Sequence, residues 1–286
     1  MRALVLSGGG SKSAWQAGAL KYLLGELEIS YSILCGVSAG ALNCAFLSMF
    51  KDGEEVECAE KLCDLWLNIE TSSIYKRWFP FGFLHALWQK SFYDNSPMHS
   101  LIRDGVSLPK IRESGKIVTV GAVSLTSGKY TTFDHTSDYF VDAVIASASF
   151  PGMFKPIEFL GQLWNDGGTK QFSPIQNAID MGATEIDIIM TSPETRINHF
   201  MNNPSVADIL NRSFDLSTDK IMSNDIEKLV MYNKLAKAGL TDKKMIKYRI
   251  IRPKHNLIED LLDFSPNKIK EMMEKGYNEA VLNYEI

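Results

Sequence analysis

Ser38 is the residue best placed to do covalent chemistry. It stands in Gly36-Val37-Ser38-Ala39-Gly40, a G-x-S-x-G pentapeptide between a β-favouring run (Ile29, Ile33, Leu34, Cys35) and a small-residue helical run (Ala41, Leu42, Cys44, Ala45, Phe46). A serine at a strand-to-helix junction takes a strained backbone, and flanking glycines remove the Cβ atoms that would block so tight a turn. Its hydroxyl then projects from the sheet, beside the free N–H groups of a helix N-terminus. The chemistry open to it is attack on an ester carbonyl. The plainer alternative is a tight βα turn in which Ser38 only caps the helix. A nucleophilic serine needs two further parts, a base for its proton and donors for the oxyanion.

Donors are offered by Gly8-Gly9-Gly10-Ser11-Lys12, which follows a short apolar strand and opens a helical run from about Ala14 to Leu24. Strand, glycine loop and helix together form an anion cradle. A dinucleotide fingerprint would need glycine where Ser13 stands, and a phosphate-binding P-loop would need it at Leu6 and Ser11. An oxyanion hole remains, with the amides of Gly8, Gly9 and Gly10 facing the Ser38 hydroxyl across the carboxyl edge of a parallel sheet. For the base, Asn165-Asp166-Gly167-Gly168 follows a short strand. Alone it is a turn; beside a serine lacking a base it is a candidate. A Ser-His-Asp triad is one rival, since His199 and His255 follow Asp166 in the required order, but neither they nor His85, His99 and His135 carry a local signature; a catalytically silent lipid- or nucleotide-binding module is the other, and the intact glycine loop, serine and aspartate argue against it.

These three blocks, in this order, closely resemble the patatin-like phospholipase family, whose members carry a glycine-rich oxyanion loop, a G-x-S-x-G serine and a D-G-A/G aspartate. The stretch Ala146-Ser147-Ala148-Ser149-Phe150-Pro151-Gly152-Met153-Phe154 is similar to the Pro-Gly segment preceding the family's aspartate. The resemblance runs from about Ala3 to Ile179, with Ser13 standing where the family often has glycine. It implies Ser38 as nucleophile, Asp166 as base in a Ser-Asp dyad and Gly8 to Gly10 as oxyanion hole. Lys12, Gly36, Gly40, Gly167 and Gly168 complete the motifs. It also implies cleavage of lipid acyl esters, phospholipid A-type first, with no metal or cofactor. A carboxylate base titrates near 4 unless burial raises it, so activity is expected to persist below the histidine range of about 6.5.

The elements that must hold these residues follow from periodicity. Strands are expected at Ala3 to Ser7, Lys116 to Leu125, Tyr130 to Phe133, Glu185 to Thr191 and Tyr248 to Ile251. Helices are expected over Glu54 to Glu70, with Val56, Ala59, Leu62, Cys63, Trp66 and Leu67 inward, and from Ser96 as N-cap. A long helix over Pro204 to Ala238 counts Ile209 and Leu235 in its core, and a last one is capped by Ser265-Pro266. The fold class is α/β, a mostly parallel central sheet flanked by helices on both faces, related to the α/β-hydrolases. One domain over 1–286 is expected, with the motifs in about 3–179 and a helical C-terminal part in about 200–286.

Composition sets the remaining bounds. With 286 residues, 45% of them hydrophobic, the chain can fill a sizeable core, and a net charge of −4 leaves no footprint for nucleic acid. The run Ile29 to Phe50 is long enough to span a bilayer, but Ser30, Ser32, Ser38, Asn43 and Ser48 suit a buried strand and helix better. Cys35, Cys44, Cys58 and Cys63 lie in apolar periodic segments without metal-ligand spacing, so buried free thiols and a cytosolic compartment are expected. The N-terminus reads as entering a strand at once, so a signal peptide is not expected. Aromatic residues crowd Ile74 to Tyr93, including Trp78, Phe79, Phe81 and Phe83. Two readings stand there: a lipid-facing lid making peripheral membrane contact, or irregular core or dimer surface.

Overall fold

The computed structural model describes residues 1–78, 88–194, 206–240, 244–257 and 260–284. Its strands in chain order are β1 (Arg2–Leu6), β2 (Ile33–Val37), β3 (Lys76–Arg77), β4 (Tyr93–Asp94), β5 (Ile117–Ser124), β6 (Tyr130–Asp134), β7 (Ile157–Phe159), β8 (Gln162–Asp166), β9 (Glu185–Ile189) and β10 (Lys247–Ile251). Eight form one sheet in the order β10-β9-β1-β2-β5-β8-β7, with β6 also on β5, while β3 and β4 make a separate ribbon. From β10 to β5 all neighbours are parallel; β6, β7 and β8 are antiparallel additions.

The parallel strands are apolar on both sides because both faces are covered. Leu4, Leu6 and Leu34 turn to one face, where α1 (Ser13–Leu20), α2 (Ala39–Leu47), α3 (Glu55–Leu67) and the helices Ser96–Gly105, Phe140–Ser147 and Pro266–Tyr284 pack. Ala3, Val5, Ile33 and Cys35 turn to the other, against the helices Ile175–Asp180 and Val206–Lys237. The C-terminal helix belongs to the same core as the motifs. Gly18 of α1 and Gly276 face its backbone and that of α1 so closely that a Cβ would lie 1.9 Å from Met273 O and 2.0 Å from Trp15 O respectively.

β5 positions the chemistry. Its residues Ile117 to Gly121 pair with β2 and its residues Ala122 to Ser124 with β8. Since β6 spans Thr119 to Val123 on the opposite edge, β2 and β8 lie on the same edge. They run toward one another and meet end to end, so Val37-Ser38 abuts Asp166-Gly167. Gly167 is required at that junction: a Cβ there would lie 2.3 Å from Gly121 O and 2.8 Å from Val37 Cγ2. The β7–β8 hairpin that delivers Asp166 turns through Leu160 and Gly161, at φ 52° and 66°, the left-handed pair of a tight two-residue loop.

Several local expectations change. Asn95, not Ser96, is the N-cap of Ser96–Gly105. The first helix is α-helical to Leu20 and continues to Glu26 as a π-helical turn. In α3 the buried stripe is Cys58, Ala59, Leu62, Cys63 and Trp66, whereas Val56 and Leu67 are exposed; Leu67 lies about 100° round the helix from Trp66. In the long helix Ile209 and Leu235 are exposed. Its buried line is Thr218, Met222, Asp225 and Leu229; Ile209 falls about half a turn away from it and Leu235 about 110° to one side. All four cysteines are buried free thiols, with Cys35 and Cys58 pushed up to about 12 by burial. Phe79, Phe81 and Phe83 lie outside the described residues. Trp78 is half-buried, its indole N–H donating to Ser91 O at 3.0 Å.

Candidate active site

Ser38 sits between the last residue of β2 and the first of α2 with φ 56° and ψ −133°, a conformation that only glycine adopts without strain. The two motif glycines make so sharp a turn fit. A Cβ on Gly36 would lie 2.4 Å from Gly40 O, and one on Gly40 would lie 2.5 Å from both Leu6 O and Ser7 O. One lets α2 fold back on its own strand; the other lets it press against β1.

The end-to-end meeting of β2 and β8 brings the Ser38 hydroxyl to Asp166, donating to Oδ2 at 2.7 Å. The other carboxylate oxygen accepts the Gly168 N–H at 2.7 Å. Asp166 is only 4% exposed, and burial raises its pKa to about 7, against smaller opposing effects of the bonds from Ser38 and Gly168. This corrects the expectation of a base titrating near the ordinary carboxylate value. Desolvation carries it into the histidine range, so an acid limb near neutrality does not distinguish a dyad from a triad.

The glycine loop crosses in front of this pair. A Cβ on Gly8 would come within 3.1 Å of Ser38 Cβ. The loop is buttressed by Thr191 beyond β9, whose hydroxyl donates to Gly8 O at 2.6 Å, and by Gln16, whose amide donates to Ser7 O at 3.0 Å. It lies between the ends of β1 and β9, where the crossovers diverge and α/β sheets open their crevice. The three glycines are not equivalent. Gly8 is already engaged, its N–H donating to Phe172 O at 3.2 Å, which corrects the expectation that all three amides face the hydroxyl. Among the described residues no acceptor takes the amides of Gly9 and Gly10. The Ser11 N–H donates to Leu261 O at 2.9 Å, so the C-terminal part roofs the loop. Lys12 is buried in the cavity wall.

Two contacts had no signal in the sequence beyond the Ala146–Phe154 stretch. The fully buried Ser147 hydroxyl accepts the N–H of Ser38 at 2.8 Å, and Ser149 O accepts the N–H of Asp166 at 3.1 Å. One short segment therefore fixes the backbone of both partners. Ser147→Ala would leave the Ser38 amide unpaired at a cost of about 1–3 kcal/mol. The expected result is a roughly tenfold to hundredfold fall in kcat with KM unchanged, matched by slower fluorophosphonate labelling and restored by Ser147→Thr. A lower Tm with unaltered kcat would make the contact merely structural.

Ser38 and Asp166 open into a cavity of about 160 Å³. Among the described histidines, His99, His135 and His255, none lines it, and His85 and His199 lie outside the described residues. No helix among the described residues is long and apolar enough to cross a membrane.

A strained serine at the carboxyl edge of a mostly parallel sheet, turning directly into a helix, defines an α/β protein of the nucleophile-elbow class. Within that class the chain belongs to the patatin-like phospholipase family, whose profile matches residues 4–179. By that membership it is a patatin-like lipid hydrolase. A probable lipid hydrolase, 463L, of Invertebrate iridescent virus 6 is 25% identical over 272 residues, covering 86% of this chain and 90% of the viral protein. Among solved structures, VipD from Legionella pneumophila is similar at 12% identity and a TM-score of 0.49, over 99% of this chain and 66% of VipD. The type III effector ExoU is similar at 13% identity and a TM-score of 0.38, over 99% of this chain and 52% of ExoU. The chain thus spans just under two thirds of one and about half of the other.

Proposed function

We propose that the protein cleaves carboxylic esters of lipids through a Ser38 acyl-enzyme, with Asp166 as general base. The observation that carries this is the 2.7 Å bond from the Ser38 hydroxyl to a buried carboxylate. As Oγ attacks the ester carbonyl carbon, Asp166 takes its proton. The carbonyl oxygen becomes an oxyanion held by the amides of Gly9 and Gly10 and by the N-terminus of α2; one such donor typically contributes about 3–4 kcal/mol. Collapse expels the alcohol, which receives the proton from Asp166. Water, deprotonated by Asp166, then releases the fatty acid and restores Ser38.

Phospholipids and lysophospholipids are the first substrates, by analogy with the family. Contact with aggregated lipid through the aromatic segment is supported by Trp88, which is 80% exposed. The test is incubation with phosphatidylcholine vesicles carrying different chains at the two acyl positions, alongside monoacyl lipid and triacylglycerol, with products read by mass spectrometry. Free fatty acid and lysophospholipid are expected. Because the base must be deprotonated, kcat/KM should fall about tenfold per pH unit below pH 7 and level off above it. A folded protein that cleaves none of these esters between pH 6 and 9 would overturn the proposal.

A further inference from the structure

The family profile stops at residue 179, and the 32-residue helix Val206–Lys237 lies beyond it. That helix nevertheless borders the site. Phe214, Asp215 and Thr218 line the Ser38 cavity, and the Phe214 ring meets that of Phe150 edge to face, with centroids 4.5 Å apart. About two turns further along stands Asp225, only 5% exposed. Its Oδ2 accepts the backbone N–H of Phe172 at 3.1 Å and that of Ser173 at 3.0 Å. Lys228 Nζ lies 4.0 Å from Oδ1, too far for a hydrogen bond, so the carboxylate is turned to the Phe172–Ser173 backbone.

Phe172 carries that grip into the chemistry. It ends a turn that begins at the base, where the N–H groups of Lys170 and Gln171 both donate to Gly167 O at 3.0 Å. Its own carbonyl takes the Gly8 N–H at 3.2 Å. Its ring closes on a glycine at each side of the dyad: a Cβ on Gly8 would lie 3.1 Å from Phe172 Cε2, and one on Gly168 would lie 3.3 Å from Phe172 Cδ2. Gly168 in turn donates to Asp166 Oδ1 at 2.7 Å. A shift of this one peptide would therefore disturb both the anchor of the glycine loop and the wall behind the amide that holds the base. A charged acceptor holds two N–H groups more tightly than a neutral one, which offsets the cost of burying it.

We propose that Asp225 is a positioning residue for the ester chemistry: by holding the Phe172–Ser173 backbone from the long helix, it fixes the Gly8 end of the glycine loop and so the direction of the Gly9 and Gly10 amides. The catalytic consequence rests on the reading of Ser38 as nucleophile; the hold on the loop does not. An oxyanion donor is effective only when aimed at the place where charge develops. A slack loop should therefore weaken the transition state and leave ground-state binding as it was.

The test compares Asp225→Ala with Asp225→Asn. Asp225 also lines a cavity of about 270 Å³, so the alanine variant opens onto space that water can enter, while asparagine keeps an acceptor oxygen. In Asp225→Ala, kcat for p-nitrophenyl butyrate should fall at least about tenfold with KM within about twofold of wild type. Decyl trifluoromethyl ketone becomes an oxyanion only once Ser38 adds to it, and it should inhibit that variant about tenfold less tightly. Asp225→Asn should bring kcat back to within about threefold of wild type. Unchanged kcat and inhibition in the alanine variant, or an asparagine variant equally impaired, would overturn the proposal.

Amide hydrogen exchange supplies an arm independent of catalysis. The Gly8 N–H should exchange at least about tenfold faster in Asp225→Ala, while the Ser7 N–H keeps its wild-type rate; the latter donates to Ile189 O at 3.1 Å, away from Phe172. No rise at Gly8, or the same rise at both amides, would also overturn the proposal, the second outcome marking a general loosening. Asp225→Ser, too short to span both amides, repeats the comparison should the alanine variant not fold. If wild type cleaves no ester, the esterase reading fails by itself, and the exchange rates alone decide whether Asp225 holds the loop.

Discussion

Asp166→Asn is expected to abolish ester turnover and to stabilise the protein at alkaline pH. The amide keeps the shape of the carboxylate but takes no proton, and losing a general base costs roughly 10²- to 10⁴-fold. The stability effect follows from the raised pKa. Asp166 titrates at about 7 in the fold and near 4 in an unfolded chain, so between those values the folded state holds the proton more tightly. The stability tied to that proton is fully present below about pH 4 and is lost as pH rises to about 7. Asparagine has no proton to lose. Its advantage over aspartate should therefore grow across that window and level off above it, at up to about 4 kcal/mol. Urea unfolding of both proteins at pH 5 and pH 8 measures this. Equal advantage at the two values would show that burial does not set the titration of Asp166.

Ser38→Ala should remove turnover and fluorophosphonate labelling completely, with the fold retained, because only one oxygen leaves the turn. It should also push Asp166 still higher, since the bond from Ser38 is among the effects that hold its pKa down; carboxyl NMR titration would register the rise. A companion variant isolates the strain. At φ 56° and ψ −133° alanine keeps the Cβ penalty that glycine escapes, so Ser38→Gly should be more stable than Ser38→Ala by about 1 kcal/mol. Were alanine the more stable of the two, the elbow would hold no strain. Labelling retained in either variant would assign the nucleophile to another serine.

The contrast between what was legible and what was not is physical. The elbow is local: Gly36, Ser38 and Gly40 act within one turn, and the runs on either side announce strand and helix. Asp166 carries no such local signal, because its partnership with Ser38 is made by the pairing of β8 to β5; only the missing base of Ser38 and the family resemblance pointed to it. Contacts between distant segments were invisible for the same reason, as with Ser147 on the Ser38 amide, Thr191 behind Gly8 and Phe172 on the Gly8 amide. The titration of Asp166 was misjudged because composition says nothing about how completely one carboxylate loses water. Ile209 and Leu235 were placed inside because apolar residues at approximate helical spacing fit several faces of a long helix, and only packing selects one.

The meeting of β2 and β8 on one edge of β5 makes the spacing of Ser38 and Asp166 discrete, as if cut on a ratchet. Ser38 and Asp166 are separated by 128 residues, yet their spacing is counted in ladder rungs of β5. A slip of β8 by one rung would turn Asp166 to the opposite face of the sheet, where no rotamer could return it. Residues added at the β7–β8 loop, by contrast, would leave the rungs untouched. Lengthening the chain between the two residues is therefore harmless at one end of that hairpin and fatal at the other, so a library of insertions through it should divide into silent and dead members with little between.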